Sequence, residues 1–100
     1  MNTKTIKINR EMPVDTNELC IRKAYLAEAC RNLTPTGFAL YIYLLSQATN
    51  QFDFSRADCT ETMGVSPRSV TSAFVDLQKA GYLIDMGHNE YILNETREDK

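Results

Sequence analysis

Two sets of helix-boundary signals follow one another closely between Phe54 and Ile84. Ser55 can cap the start of a first helix, and Gly64 suits the left-handed conformation that commonly ends one. Ser66 can cap a second helix almost immediately after that glycine. Because neither helix can continue through the turn, the two must cross sharply. This constrains the fold more than any other feature of the chain.

The second helix is predicted to begin at Pro67, a first helical position where the missing N–H is not needed. Its apolar residues recur on one face: Val70, Ala73, Phe74, Leu77 and Ala80. Gly81 ends it. Two β-prone runs, Tyr82 to Met86 and Glu90 to Leu93, then flank a short turn and predict a β-hairpin. The segment as a whole predicts a helix-turn-helix followed by a hairpin.

The residues before this segment predict a strand and two further helices. Thr3 to Ile8 alternates polar and β-branched residues, which is typical of a short strand. A helix is predicted from Glu18 to Arg31, although Leu19 to Ile21 fits a strand equally well. Leu33 to Ala48 predicts a helix capped by Thr34 and apolar around most of its circumference, which is typical of a central helix.

The bulk composition is that of one ordinary globular domain. The chain has 100 residues, of which 43% are hydrophobic and 24% charged. Its longest apolar run, Phe38 to Leu45, is far shorter than the roughly 18 residues that indicate a membrane span. The first residues lack the apolar stretch and cleavage site of a secretion signal. We therefore expect a cytoplasmic protein without a membrane partner.

The cysteines and the histidine do not form a recognisable site. Cys20, Cys30 and Cys59 are widely spaced, and His88 has no cysteine near it in the sequence. This spacing fits neither a disulfide framework nor a zinc site, so we expect reduced cysteines that behave as small hydrophobic residues. No nucleophile motif or phosphate-binding glycine loop is present either. We therefore expect no catalytic residues, no metal, no cofactor and no enzymatic activity.

The charge is unevenly distributed along a chain whose net charge is −2. Met1 to Thr34 carries more basic than acidic residues, whereas Asp85 to Lys100 is acidic. An anion-binding surface is therefore expected to use the N-terminal third rather than the tail. There, Lys4, Lys7 and Arg10 are candidates for contacting phosphates.

The run from Leu33 to Ile84 resembles the winged-helix domain of phage and plasmid replication initiators, or replisome organisers. It is also similar to related winged-helix transcription regulators. Gly64 to Ser66 matches the turn between the helices of that family, and Lys79 to Leu83 matches the exit into the wing. Asp85 and Glu90 depart from the pattern, since lysine and arginine are common in DNA-binding wings.

This resemblance implies an α+β, mostly α fold: a winged helix-turn-helix with a three-helix core and a C-terminal β-hairpin wing. The predicted organisation is an N-terminal strand and helical extension over residues 1–32, a winged-helix domain over 33–94 and a disordered tail over 95–100.

The resemblance also implies that the second helix of the pair lies in the major groove of DNA. Its outward face is predicted to include Val75 and Asp76 beside the polar candidates. Arg68 is placed to pair with a guanine, Arg56 to contact a phosphate, and His88 to lie at the wing tip. The candidate DNA-binding residues are Arg56, Ser66, Pro67, Arg68, Ser69, Thr71, Ser72, Lys79 and His88.

The expected function is double-stranded DNA binding in replication initiation or transcription regulation, in a phage, plasmid or other mobile element. A single small domain covers a short site, so a homodimer or a larger replication or transcription assembly is expected. The acidic wing leaves open an alternative, a winged-helix protein-protein interaction module that does not bind DNA. A third possibility is a domain of a longer initiator.

Overall fold

A computed structural model describes residues 3–11 and 17–97. They form an α+β fold that is about half helical, with four helices and one mixed four-stranded sheet in the described part of the chain. The elements in chain order are β1 (Thr5–Asn9), α1 (Lys23–Asn32), α2 (Pro35–Leu45), β2 (Gln51–Asp53), α3 (Arg56–Met63), α4 (Pro67–Ala80), β3 (Leu83–Gly87) and β4 (Glu90–Asn94).

The helix boundaries predicted from capping residues are confirmed for α2, α3 and α4. Each cap side chain accepts a hydrogen bond from the backbone N–H three residues further on: Thr34 from Gly37 at 3.0 Å, Ser55 from Asp58 at 3.1 Å and Ser66 from Ser69 at 3.1 Å. Gly64 ends α3 with φ 71°. Only three residues therefore separate the end of α3 from the start of α4.

β1 and β4 are the two inner strands of the sheet, whose order is β2-β1-β4-β3. β1 pairs in parallel with β4, with Ile6 opposite Tyr91 and Ile8 opposite Leu93, and in antiparallel with β2. The predicted boundary at residue 32 consequently does not separate β1 from the rest of the chain. The first strand belongs to the same sheet as the C-terminal hairpin.

The core lies between this sheet and the helices. As predicted, α2 is central: Leu40, Tyr41 and Leu44 are fully buried. The Tyr41 ring packs edge-on against that of Tyr82 at 5.3 Å between centroids, and its hydroxyl donates to the backbone carbonyl of Glu95. α2 therefore links α4 and the residues that follow β4.

Two predicted helix boundaries are wrong. α1 begins at Lys23 rather than Glu18, because Leu19 and Ile21 pack against the core from a non-helical segment. α1 has no side-chain cap at Arg22, so no local signal marks its start. α2 ends at Leu45, before the predicted Ala48.

The predicted disordered tail does not begin at residue 95. Glu95 is only 4% exposed, and its carboxylate accepts a hydrogen bond from the Glu11 N–H at 3.0 Å. Thr96 donates a hydrogen bond to the Glu28 carboxylate at 2.7 Å. This hydrogen bond is the main cause that lowers the pKa of Glu28 from its ordinary value. Residues 95–97 therefore pack against the domain, while residues 98–100 lie outside the described part of the chain.

Candidate nucleic-acid interface

The exposed face of α4 carries hydroxyls and cations. Its exposed side chains are Arg68, Thr71, Ser72, Val75 and Lys79, and Val75 is 41% exposed. The opposite face is buried through Val70, Ala73, Phe74 and Leu77. The helical period predicted from the sequence therefore identifies this buried face, and Ala80, also predicted to lie on it, is half-buried.

Asp76, predicted to face outward, contacts the start of α2 instead. Its carboxylate accepts hydrogen bonds from the Thr34 N–H at 3.0 Å and the Thr34 hydroxyl at 2.9 Å. Gly37 permits this approach, since a Cβ there would lie 2.1 Å from the Asp76 carboxylate. Asp76 is the only acidic residue of α4, so the exposed face of this helix has no free carboxylate.

Three candidate residues at the start of α4 make hydrogen bonds within the helix, although Ser66 and Pro67 are exposed and Ser69 is half-buried. The Ser66 hydroxyl donates to that of Ser69 at 3.0 Å and also accepts the Ser69 N–H. Pro67 has no N–H, and its carbonyl accepts the Thr71 hydroxyl at 3.1 Å. Arg68, by contrast, is exposed and makes no ion pair within the described part of the chain. It is the candidate best placed to reach a ligand.

Arg56 and Thr71 bring α3 and α4 together at this face. The Arg56 guanidinium, at the first residue of α3, donates to the Thr71 hydroxyl at 3.1 Å. Lys79 lies in the last turn of α4, far along the helix from Arg68. No described contact joins His88, which lies on the hairpin turn, to α4.

The N-terminal cations do not act as one group. Lys4 lies beside α4, with its ammonium nitrogen 5.9 Å from the Phe74 ring centroid. Lys7 is exposed on the other face of β1 from the buried Ile6 and Ile8. Arg10 donates to the Leu45 carbonyl at 3.1 Å and so holds the end of α2. Of the three predicted phosphate contacts, only Lys4 lies near α4.

A groove of about 540 Å³, here called the α4 groove, runs between α4, the start of β1 and β4. The cations Lys4 and Arg56 line it together with Phe54, Phe74, Val75 and Tyr91, and its remaining lining residues are uncharged. Burial is the main cause that raises the pKa of Tyr91. The sequence did not reveal this groove, because its walls come from four segments that are distant along the chain.

The hairpin is short and acidic, as its sequence predicts. His88 and Asn89 form its turn with φ of 55° and 61°, the left-handed pair that favours the twist of two-residue hairpins. The Asp85 carboxylate accepts the Gly87 N–H at 2.8 Å, and Glu90 is exposed. The hairpin therefore offers little attraction for phosphate.

Within residues 3–11 and 17–97, no cluster of three or more histidine, cysteine or acidic side chains is arranged to hold a metal ion. In the same part of the chain, no helix has the length and apolarity needed to cross a bilayer.

The three cysteines are free thiols in different surroundings. Cys59 is buried, as expected of a small hydrophobic residue, and burial raises its pKa to about 11. Cys30 is exposed, contrary to that expectation, and Cys20 is half-buried.

We expect the three thiols to react with a disulfide reagent at different rates at neutral pH, because their surroundings differ. Cys30 should react fastest and Cys59 slowest, because a thiol must be accessible and ionised to react. Mass spectrometry of the labelled peptides in native buffer and in denaturant measures this order. Equal native rates at Cys30 and Cys59 would contradict the packing of α3.

Comparison with protein-family models, with curated proteins and with solved structures finds no match for this chain. The geometry of α4 and the residues around it is therefore the basis for assigning a function.

Proposed function

We propose that this chain is a winged-helix protein that binds double-stranded DNA through α4. It would act in replication initiation or transcription regulation of a phage, plasmid or other mobile element. In this proposal α3 and α4 form the helix-turn-helix, and the β3–β4 hairpin is the wing. The observation that carries it is the exposed face of α4, which presents Arg68, Lys79 and two hydroxyls with no free carboxylate.

The major groove admits an α-helix, and residues near the start of that helix reach the base edges. Arg68 is exposed in the first turn of α4, and its guanidinium matches the two acceptors of guanine. Thr71 and Ser72 add hydroxyls that suit bases or phosphates. Ser66 and Ser69 contribute indirectly, since their mutual hydrogen bonds fix the start of the helix.

Phosphate contacts would come from the cations beside α4. The hydrogen bond from Arg56 to Thr71 places its guanidinium at the edge of the exposed face, and Lys4 lies against the adjoining groove. Lys79 supplies a further cation at the end of α4. The acidic hairpin gives no such support, so each protomer would bind weakly. A homodimer or larger assembly would supply the remaining affinity.

Fluorescence anisotropy of a labelled random duplex and of genomic fragments, measured at several salt concentrations, tests this proposal. Each neutralised phosphate contributes about −0.9 to the slope of log affinity against log salt. With Lys4, Arg56 and Lys79 available for phosphates, we expect a slope of about −3 per protomer. Absence of binding at low salt would contradict DNA as the partner.

The hairpin supports a second candidate function, protein-protein interaction without DNA binding. Asp85 and Glu90 are exposed there, and Met86 is 55% exposed between them in the folded hairpin. An exposed apolar side chain on an acidic hairpin suits a basic protein surface. A partner contact that Glu90→Lys abolishes, together with absent DNA binding, would favour this candidate.

A further inference from the structure

The floor of the α4 groove is a cluster of three aromatic rings. The Phe74 ring lies 5.0 Å from that of Phe54, tilted by 53°, and 5.1 Å from that of Tyr91, nearly perpendicular to it. Val75 forms part of the wall and is 41% exposed. Phe74 and Tyr91 belong to the buried core, whereas Phe54 and Val75 stay partly accessible, so the groove offers an apolar floor that contact with a phosphate backbone does not require.

The rim of the groove is positively charged. Lys4 and Arg56 line it, and no carboxylate does. Asp85 lies opposite Tyr91 in the pairing of β3 and β4 and adds to the increase in the tyrosine pKa, after burial. A tyrosine hydroxyl is protonated at neutral pH, and the raised pKa of Tyr91 is consistent with this, so the hydroxyl can donate a hydrogen bond to an anion.

We propose that the α4 groove binds a small molecule that combines a planar aromatic ring with an anionic substituent. The ring would pack against Phe74 and Val75, and the anion would lie between Lys4 and Arg56. A volume of about 540 Å³ is suited to a ligand of this size. Aromatic carboxylates and nucleoside monophosphates share this chemistry.

The site goes beyond DNA binding, but it is placed to influence it. Thr71 and Val75 line the groove and also belong to the exposed face of α4. A ligand in the groove would therefore change the affinity of that face for DNA, and DNA would change the affinity for the ligand by the same factor. This coupling rests on the proposed function, whereas binding of the small molecule does not.

NMR of the valine methyl groups tests the site directly. Val70 and Val75 line the groove, and Val65 lies outside it and serves as the reference. Titration with 1-naphthoate should shift the Val70 and Val75 signals saturably and leave Val65 unchanged. The neutral 1-naphthalenemethanol should bind at least about tenfold more weakly, because it cannot use the two cations. Equal affinity for both compounds, or no saturable shift, would overturn the proposal.

Charge variants separate this site from the DNA-binding face. The double variant Lys4→Gln/Arg56→Gln should weaken 1-naphthoate binding about tenfold or more, and duplex binding as well, because both proposals use these cations. Lys7→Gln, on the other face of β1, should leave 1-naphthoate binding unchanged. Arg68→Gln should weaken duplex binding and leave 1-naphthoate binding unchanged. The two binding measurements therefore test the two proposals separately. Unchanged 1-naphthoate affinity in the double variant would overturn the site.

A parallel titration with deoxythymidine monophosphate distinguishes the two sources of the ligand. If deoxythymidine monophosphate binds more tightly than 1-naphthoate, the groove is a nucleotide site. If it binds more weakly, the groove is a site for aromatic acids.

Discussion

Arg68→Glu is expected to weaken duplex binding by about 100-fold or more under the proposed mode of DNA binding. A bidentate arginine–guanine pair is worth about 1–3 kcal/mol, or roughly 5- to 150-fold in affinity. The glutamate adds repulsion from the phosphates on both sides of the groove. Because Arg68 is exposed and forms no ion pair in the described part of the chain, the variant should fold normally.

The matched control is Lys23→Glu, which changes the net charge by the same amount at the start of α1. Lys23 is exposed and lies on a different helix from the proposed interface, and glutamate is favourable near a helix N-terminus. Anisotropy at one fixed salt concentration compares the two variants with the parent. If both lose affinity equally, the loss reflects overall charge, and α4 is not the helix that contacts DNA.

Leu77→Ala is expected to cost about 2–5 kcal/mol of unfolding free energy, the largest stability effect we predict. Leu77 is 0% exposed at the centre of the buried face of α4, and its carbonyl accepts the Tyr82 N–H at 3.0 Å where the chain enters β3. Removing the side chain leaves a cavity between the helices and the sheet. For a domain of this size, the melting temperature should fall by about 4–8 °C for each kcal/mol.

Val75→Ala is the control for Leu77→Ala, because it lies on the same helix but is 41% exposed. Its cost should stay below about 1 kcal/mol, since surface substitutions usually have small effects. Urea denaturation followed by circular dichroism gives both values. Similar midpoints for the two variants would mean that α4 packs differently from the arrangement described above.

Local signals predicted the helices that have caps. Thr34, Ser55 and Ser66 each satisfy a backbone N–H in their own helix, so the information lies within a few residues of sequence. Gly64 and Gly81 adopt the left-handed conformation required at helix ends for the same reason. α1 lacks a side-chain cap, and its start was consequently misplaced.

Partners that are distant in sequence were not predictable in this way. The alternation around Ile6 and Ile8 indicates that one face of β1 is buried, but it does not say which strand lies beside it. The helical period puts Asp76 near the polar face of α4. That its carboxylate accepts a hydrogen bond from Thr34 depends on where α2 packs, which the local sequence does not show. The α4 groove depends on the same kind of long-range packing.

The parallel pairing of β1 with β4 also affects how the chain can fold during synthesis. Asn9 and Asn94, which hydrogen-bond through their side chains at the ends of these strands, are 85 residues apart. At about 5–20 residues per second, β1 would wait on the order of 5–15 s for β4 to be made. The helix pair α3–α4 forms from local contacts and can fold on the ribosome during that interval, whereas the sheet is completed last.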